Sequence, residues 1–160
     1  MKIGITGDTH GSKPAMRLVL KLVPPVDYWF HTGDHGQDGL FLVQETGLPL
    51  LAVAGNTDAR EGRGKIDEFI TVAGKRIWLT HGHRYLSGYK VEELAWWARK
   101  LEVDIVVFGH THIPLVKWCG DILLINPGSP ALPRSEEGAT FAVLNLQVGV
   151  KPEVELINIT

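Results

Sequence analysis

The stretch VDIVVFGHTHIP, Val103 to Pro114, decides how this chain is read. After Asp104 it is uncharged through Gly109, and then two imidazoles follow one residue apart, His110 and His112. A short β-branched run closed by glycine reads as a strand buried on both faces. In an extended segment, residues i and i+2 project to the same side, so both rings are expected to face one place. Two titratable rings at a strand's exit need a partner, and it has to come from elsewhere in the chain.

Four other apolar runs end in the same way. Lys2–Thr6 leads into Gly7, Asp8, Thr9 and His10. Tyr28–Phe30 leads into His31, Thr32, Gly33 and Asp34. Leu50–Ala54 leads into Gly55, Asn56, Thr57 and Asp58, and Ile77–Thr80 into His81, Gly82 and His83. In open α/β sheets, ligands bind beyond the carboxyl ends of the strands. Five such ends on one edge would gather carboxylates, an amide and imidazoles in a single pocket.

The runs between these ends supply the scaffold. Lys13–Val23 carries a wide apolar stripe at helical spacing, with Ser12 as N-cap and Pro24–Pro25 as the stop. Asp38 is expected to cap a short helix through Glu45, closed by Gly47. Lys65–Thr80 has two β-type runs around Ala73–Gly74, a hairpin signal. Lys90–Leu101 is helical, with Val91, Leu94, Ala95 and Ala98 on one face. A strand near LLINPGS and two closing strands, Thr140–Leu146 and Glu153–Ile159, complete the pattern. The order predicts an α/β fold of two sheets with helices outside. No repeat or linker interrupts it, so residues 1–160 are expected to form one domain.

Bulk composition narrows the function classes. The chain of 160 residues is 44% hydrophobic and carries a net charge of −2, unlike the basic footprint of a nucleic-acid binder, so no stable nucleic-acid complex is expected. One cysteine, Cys119, rules out an internal disulfide framework. MKIGITGDTHG is too short in its apolar run for a signal peptide, and no run approaches the roughly 20 residues that cross a bilayer. A cytoplasmic protein without membrane association is the expectation.

Aspartate, histidine and asparagine without thiolate suit Mn, Fe, Zn, Co or Ni, and argue against a structural zinc knot. Seven candidate donors at these strand ends, with Asp8, His10, His110 and His112 among them, are too many for one ion and suit two ions that share a carboxylate. Two ions roughly 3.5–4 Å apart are the architecture of two-metal phosphoester hydrolysis, in which a shared water becomes hydroxide near neutral pH.

DTH at 8–10, GD at 33–34, GN at 55–56, HGH at 81–83 and GHTH at 109–112, in that order, resemble the calcineurin-like metallophosphoesterases. NPGSPALPR at 126–134 is similar to a segment of their small bacterial and archaeal phosphodiesterase branch. The resemblance implies a four-layer α-β-β-α sandwich, two mixed sheets flanked by helices. It implies that Asp8, His10 and His112 hold one divalent cation, that Asn56, His81 and His110 hold the other, and that Asp34 bridges them. Manganese is the first expectation for both ions, with Ni, Co, Fe or Zn as alternatives. The implied activity is hydrolysis of a small phosphodiester by a metal-bridging hydroxide, with Asp34, Asn56, His81 and His83 as the catalytic set.

One position departs from the family pattern. Many relatives carry histidine after the GN asparagine, where it is thought to protonate the leaving group; here Thr57 stands there. Substrates with good leaving groups are then favoured, or His35 or His83 substitutes. His31, inside its strand, is expected to be structural. Tyr85 is expected to pack rather than stack on a ligand, and Asn126 and Ser129 to shape a turn. The basic stretch Arg60–Lys65 reads as a solvated loop, with a phosphate grip as the alternative. Trp96 and Trp97 cannot both face the core, which leaves a possible homo-oligomer interface or a pocket rim.

Three rivals remain. A non-catalytic interaction scaffold would resemble the small retromer subunit of eukaryotes, which has lost part of the metal set. A phosphomonoesterase would use the same centre. A protein Ser/Thr phosphatase would carry an arginine soon after the bridging aspartate, and GDHGQDG, Gly33–Gly39, has none.

Overall fold

Alternation along the strands builds two sheets back to back. The computed structural model describes residues 1–60 and 64–159. Its elements in chain order are β1 (Lys2–Thr6), α1 (Lys13–Leu22), β2 (Tyr28–His31), α2 (Gln37–Thr46), β3 (Leu50–Ala52), α3 (Asn56–Arg60), β4 (Asp67–Val72), β5 (Lys75–Thr80), α4 (Glu92–Leu101), β6 (Ile105–Val107), β7 (Leu115–Cys119), β8 (Ile122–Asn126), β9 (Thr140–Asn145) and β10 (Glu153–Asn158). One five-stranded sheet runs β10-β9-β1-β2-β3 and the other β4-β5-β6-β8-β7.

Both sheets are mixed. β1, β2 and β3 are parallel, as are β5, β6 and β8, while β9, β10, β4 and β7 pair antiparallel to their neighbours. Ile3, Ile5 and Phe30 of the first sheet meet Ile77, Leu79, Ile105, Val107, Leu123 and Ile125 of the second in one core. The residues between them face outward. Trp29 packs under Met16 and Val19 of α1 and Leu42 of α2, and Trp78, Val106 and Leu124 pack under Leu94, Ala95 and Ala98 of α4. That period-two division yields the four layers, helix, sheet, sheet, helix.

Most expected elements form. Ser12 caps α1 through Ala15 N–H at 3.3 Å, and the β4–β5 hairpin turns at Ala73 and Gly74, both at positive φ as a two-residue I′ turn demands. Asp38 does not cap α2. The N-cap is Gly36, and Asp38 lies in the first turn, where its carboxylate accepts the N–H of Gly11 at 2.9 Å and lies 3.1 Å from His35 Nδ1. The third strand ends at Ala52 rather than Ala54, since Ala54 N–H bonds to Lys65 instead of continuing the ladder. Two elements were not expected, α3 and β7. Strand β7 pairs with β8 across Gly120–Asp121, a glycine-containing two-residue turn legible in sequence but hidden behind Pro114. Among the described residues no helix is long and apolar enough to cross a membrane.

Candidate metal centre

The exits of β1, β2, β3, β5 and β6 converge, and their backbone is bent to do so. Asp8, His10, Asp34, His35, His110 and His112 all have positive φ, between 46° and 76°. An L residue in that region costs about 1–2 kcal/mol, and such outliers collect at functional sites. The extended geometry expected for His110 and His112 is therefore wrong, and Asp8 and His10 depart from it in the same way. Both members of each pair are left-handed, so the loops turn sharply and bring donors of different loops together. Close approach does the rest: a Cβ on Gly109 would lie 2.7 Å from Asp8 Oδ2, and one on Gly55 would lie 2.1 Å from Asp34 Oδ1.

Asp8 is fully buried. Its Oδ2 accepts the N–H of His110 at 3.0 Å, while Oδ1 has no hydrogen-bond partner. His112 Nε2 stands 3.3 Å from that orphan oxygen, without hydrogen-bond alignment, and His81 Nε2 stands 3.9 Å away. Asp34 Oδ1 accepts both the N–H and the hydroxyl of Thr57, each at 3.0 Å. Its Oδ2 lies 3.5 Å from His81 Nε2 and 3.9 Å from His10 Nε2. His10 and His112 set their Nε2 atoms 3.5 Å apart. Asp8, His10, Asp34 and His112 thus offer four ligand atoms within 4.8 Å of one another. Asn56 Oδ1 sits 3.0 Å from His81 Nε2, and the His110 ring centroid lies 5.2 Å from that of His81.

Backbone carbonyls set the tautomers. His81 Nδ1 lies 2.8 Å from Thr32 O and His112 Nδ1 lies 2.7 Å from Leu132 O. A carbonyl only accepts, so each Nδ1 carries a proton, and the neutral form of each ring turns the lone pair of Nε2 toward the carboxylates. Lone pairs facing anions at these distances call for a cation between them. The titration directions agree. Burial pulls the His112 pKa down, but Asp8 and the Leu132 carbonyl outweigh it and hold it above the ordinary value. Burial pushes Asp34 up, but His81 and the Thr57 hydrogen bonds outweigh it and hold its carboxyl below the usual range. The field of Asp8 that favours a proton on His112 also favours a metal ion there, while the lowered Asp34 value keeps that carboxylate ionised and its Oδ2 available as a donor. Burial, then His81, lowers the pKa of both His83 and His110.

Every expected donor reaches this region. His83 stands beside it, its ring 5.3 Å from His81, with a buried Nδ1 that has no partner. His31 is buried in a neutral form: Nδ1 accepts Gly33 N–H at 3.2 Å, so Nε2–H donates to Thr9 Oγ1 at 3.0 Å. Tyr85 is packed edge-on against Trp78 and Trp97, and its hydroxyl donates to Asp67 at 2.6 Å. Trp96 and Trp97 are 52% and 38% exposed, so neither is a core residue. Residues 61–63 and the Arg60 side chain of the basic stretch lie outside the described residues; Lys65 pairs with Glu68 at 3.3 Å.

The turn expected at Asn126–Ser129 does more than turn. Asn126 donates to Gly109 O at 2.9 Å and Thr111 Oγ1 at 3.0 Å and accepts Gly128 N–H. Ser129 donates to Asp8 O at 2.8 Å and accepts Leu132 N–H, and Leu132 O holds His112. One segment therefore braces the first and the last metal loops. Asp58, not singled out in sequence, gathers the N–H groups of His35, Gly36 and Gly55 and braces two more. The polar residues beside the GD and GN dipeptides were the available signal.

A family model for the calcineurin-like phosphoesterase superfamily domain matches residues 1–149. A probable metallophosphoesterase of Methanothermobacter thermautotrophicus is 31% identical over 164 residues, covering 98% of this chain and 92% of that relative. A phosphodiesterase of Methanocaldococcus jannaschii is 32% identical over 146 residues, covering 80% and 83%. Among solved structures, wild-type Vps29 of Entamoeba histolytica complexed with Zn2+ matches with a TM-score of 0.77 over 100% of both chains, at 24% identity, a likeness of fold alone.

Proposed function

Since the chain belongs to the calcineurin-like phosphoesterase superfamily, we propose that it hydrolyses small phosphodiesters at a centre for two divalent cations. The observation that supports this best is the buried, unpartnered Oδ1 of Asp8 facing Nε2 atoms of His81 and His112 from two other loops. A buried carboxylate oxygen without a partner is costly unless a cation completes it. In this reading Asp8, His10 and His112 hold one ion, Asn56, His81 and His110 the other, and Asp34 both. Divalent cations held there, manganese in the first instance, would supply the acidification of a water and the charge compensation that phosphoester hydrolysis needs.

The chain's own residues do the positioning. Thr57 fixes Asp34 Oδ1, which leaves Oδ2 toward His81 and His10. Thr32 and Leu132 carbonyls keep the His81 and His112 lone pairs turned inward. In this reading His83, whose ring lies beside those of His81 and His110, hydrogen-bonds a phosphoryl oxygen. The Thr57 hydroxyl is committed to Asp34 and provides no acid for the leaving alcohol. The diester preference draws on the M. jannaschii relative named a phosphodiesterase.

The scaffold alternative rests on the fold it has in common with Vps29, which in Entamoeba histolytica is itself complexed with Zn2+, so turnover and not metal binding separates the two readings. The test is metal analysis with turnover of bis(4-nitrophenyl) phosphate and 4-nitrophenyl phosphate by manganese-loaded protein. About two ions per chain with diester turnover abolished by chelation is the expected result. Metal uptake without turnover of either substrate would favour the scaffold, and turnover of the monoester alone a phosphomonoesterase.

A further inference from the structure

A cavity of about 530 Å³ opens beside the candidate centre, along the edge strand β3. One wall is apolar, built from Leu40 of α2 and Leu50 and Ala52 of β3. The other wall is polar and belongs to the metal loops, through His35 and Thr57. Thr57 is common to both places, since its hydroxyl and N–H hold Asp34 Oδ1. The cavity therefore adjoins the proposed centre across Thr57, and it is of the size that small-molecule sites have.

Two features indicate its occupant. Leu40 is 58% exposed and lies outside the core clusters, so its side chain is available to a molecule in the cavity that it lines with Leu50 and Ala52. Asp58, which also lines the cavity, already accepts three backbone N–H groups, so its carboxylate braces the loops and is not poised for a cation. Apolar wall on one side and phosphate-handling loops on the other match a molecule that is charged at one end and apolar at the other.

We propose that this cavity takes an ester group of a phosphodiester, and that the group it suits is aromatic or apolar, placed between Leu40, Leu50 and Ala52 while the phosphate meets the metal loops. The proposal rests on the phosphodiesterase reading for the phosphate, but its test reads binding and not turnover. Zinc-loaded, isotopically labelled protein is titrated with diphenyl phosphate and with dimethyl phosphate, and backbone amide shifts are followed. Diphenyl phosphate is expected to bind at least about tenfold more tightly, the gain from burying one ring face on apolar side chains. It is expected to shift the amides of Leu40, Leu50 and Ala52, which dimethyl phosphate leaves unmoved. Leu40→Gln should reduce the ratio of the two affinities several-fold, and Leu40→Met should keep it. Equal affinities, or tight diphenyl phosphate binding with shifts confined to another surface such as Trp96 and Trp97, overturns the assignment. Absence of diester turnover in the separate assay sinks the phosphodiesterase reading while the shift pattern still reports on the cavity.

Discussion

Thr57 gives both of its donors, the backbone N–H and the side-chain hydroxyl, to the same oxygen of Asp34, each at 3.0 Å. That relationship turns the residue at the family's acid position into a clamp on the carboxylate proposed to join two cations. Thr57→Val removes the hydroxyl bond and keeps the shape. Loss of such an outer partner typically costs about 10–100-fold in metal affinity. Calorimetric titration with Mn2+ should show a loss in that range for Thr57→Val and near-normal binding for Thr57→Ser. Equal affinity for all three proteins would remove Thr57 from the site.

Asp34→Asn removes the charge proposed to be shared while nearly preserving volume. Diester hydrolysis should fall by more than about 100-fold, beyond the cost of losing an outer partner, and metal stoichiometry should drop below that of the parent. Chelation of the parent should abolish activity and readdition of Mn2+ restore it. A chelated protein that keeps full activity contradicts the metal reading.

With Thr57 engaged, the departing alcohol has no acid from that position. Rates across a series of aryl diesters should fall steeply as the leaving-group pKa rises, because negative charge accumulates on an unprotonated oxygen. A flat dependence means another group delivers the proton, and His35→Ala and His83→Ala would then separate the two neighbouring imidazoles.

Asn126 is buried, and its amide ties Gly109 O and Thr111 Oγ1 to the turn that follows β8. Asn126→Leu strands a buried carbonyl and the N–H of Gly128, at about 1–3 kcal/mol for each unmatched group. Ser129→Ala removes the bond to Asp8 O. Urea unfolding should place Asn126→Leu well below the parent, with Ser129→Ala between them. Wild-type stability in Asn126→Leu would show that the brace is idle.

His31 contributes to the pH dependence of stability. Burial, the largest influence, lowers its pKa from 6.5 to about 4, and nearby carboxylates only partly offset it. Its Nδ1 accepts Gly33 N–H, so a second ring proton would face a donor. The unfolded chain takes up that proton near pH 6.5, while the folded chain resists to about 4. Stability from this group is therefore present above pH 6.5 and lost as pH falls toward 4, by roughly 3 kcal/mol. Urea midpoints measured from pH 7 to 4 should fall in the parent, and fall less in His31→Gln. Parallel slopes for the two proteins would remove His31 as the cause.

Much of this could be read directly from residue order. Ile3, Ile5, Ile105 and Val107 alternate or run as buried strands must, and each run ends in glycine beside a donor. The two layers of sheet, the Ala73–Gly74 hairpin and the region where the donors meet are all local consequences of that grammar. Strand β7 and helix α3 escaped because their signals are short, and Asp38 misled because a side chain able to cap a helix also answered an unpaired N–H twenty-seven residues away.

Residue types and their spacing thus settle which groups arrive at the shared edge, since a strand's burial pattern and its closing turn depend on near neighbours. Orientation comes from elsewhere. The tautomers of His81 and His112 hang on the carbonyls of Thr32 and Leu132, Asp34 is held by Thr57, and Asp8 is tied to Ser129 across 121 residues. A hydrogen bond depends on a few tenths of an ångström between groups that only packing brings within reach. The aim of each donor, and the cavity under Leu40, exist only once both sheets have closed on their common core.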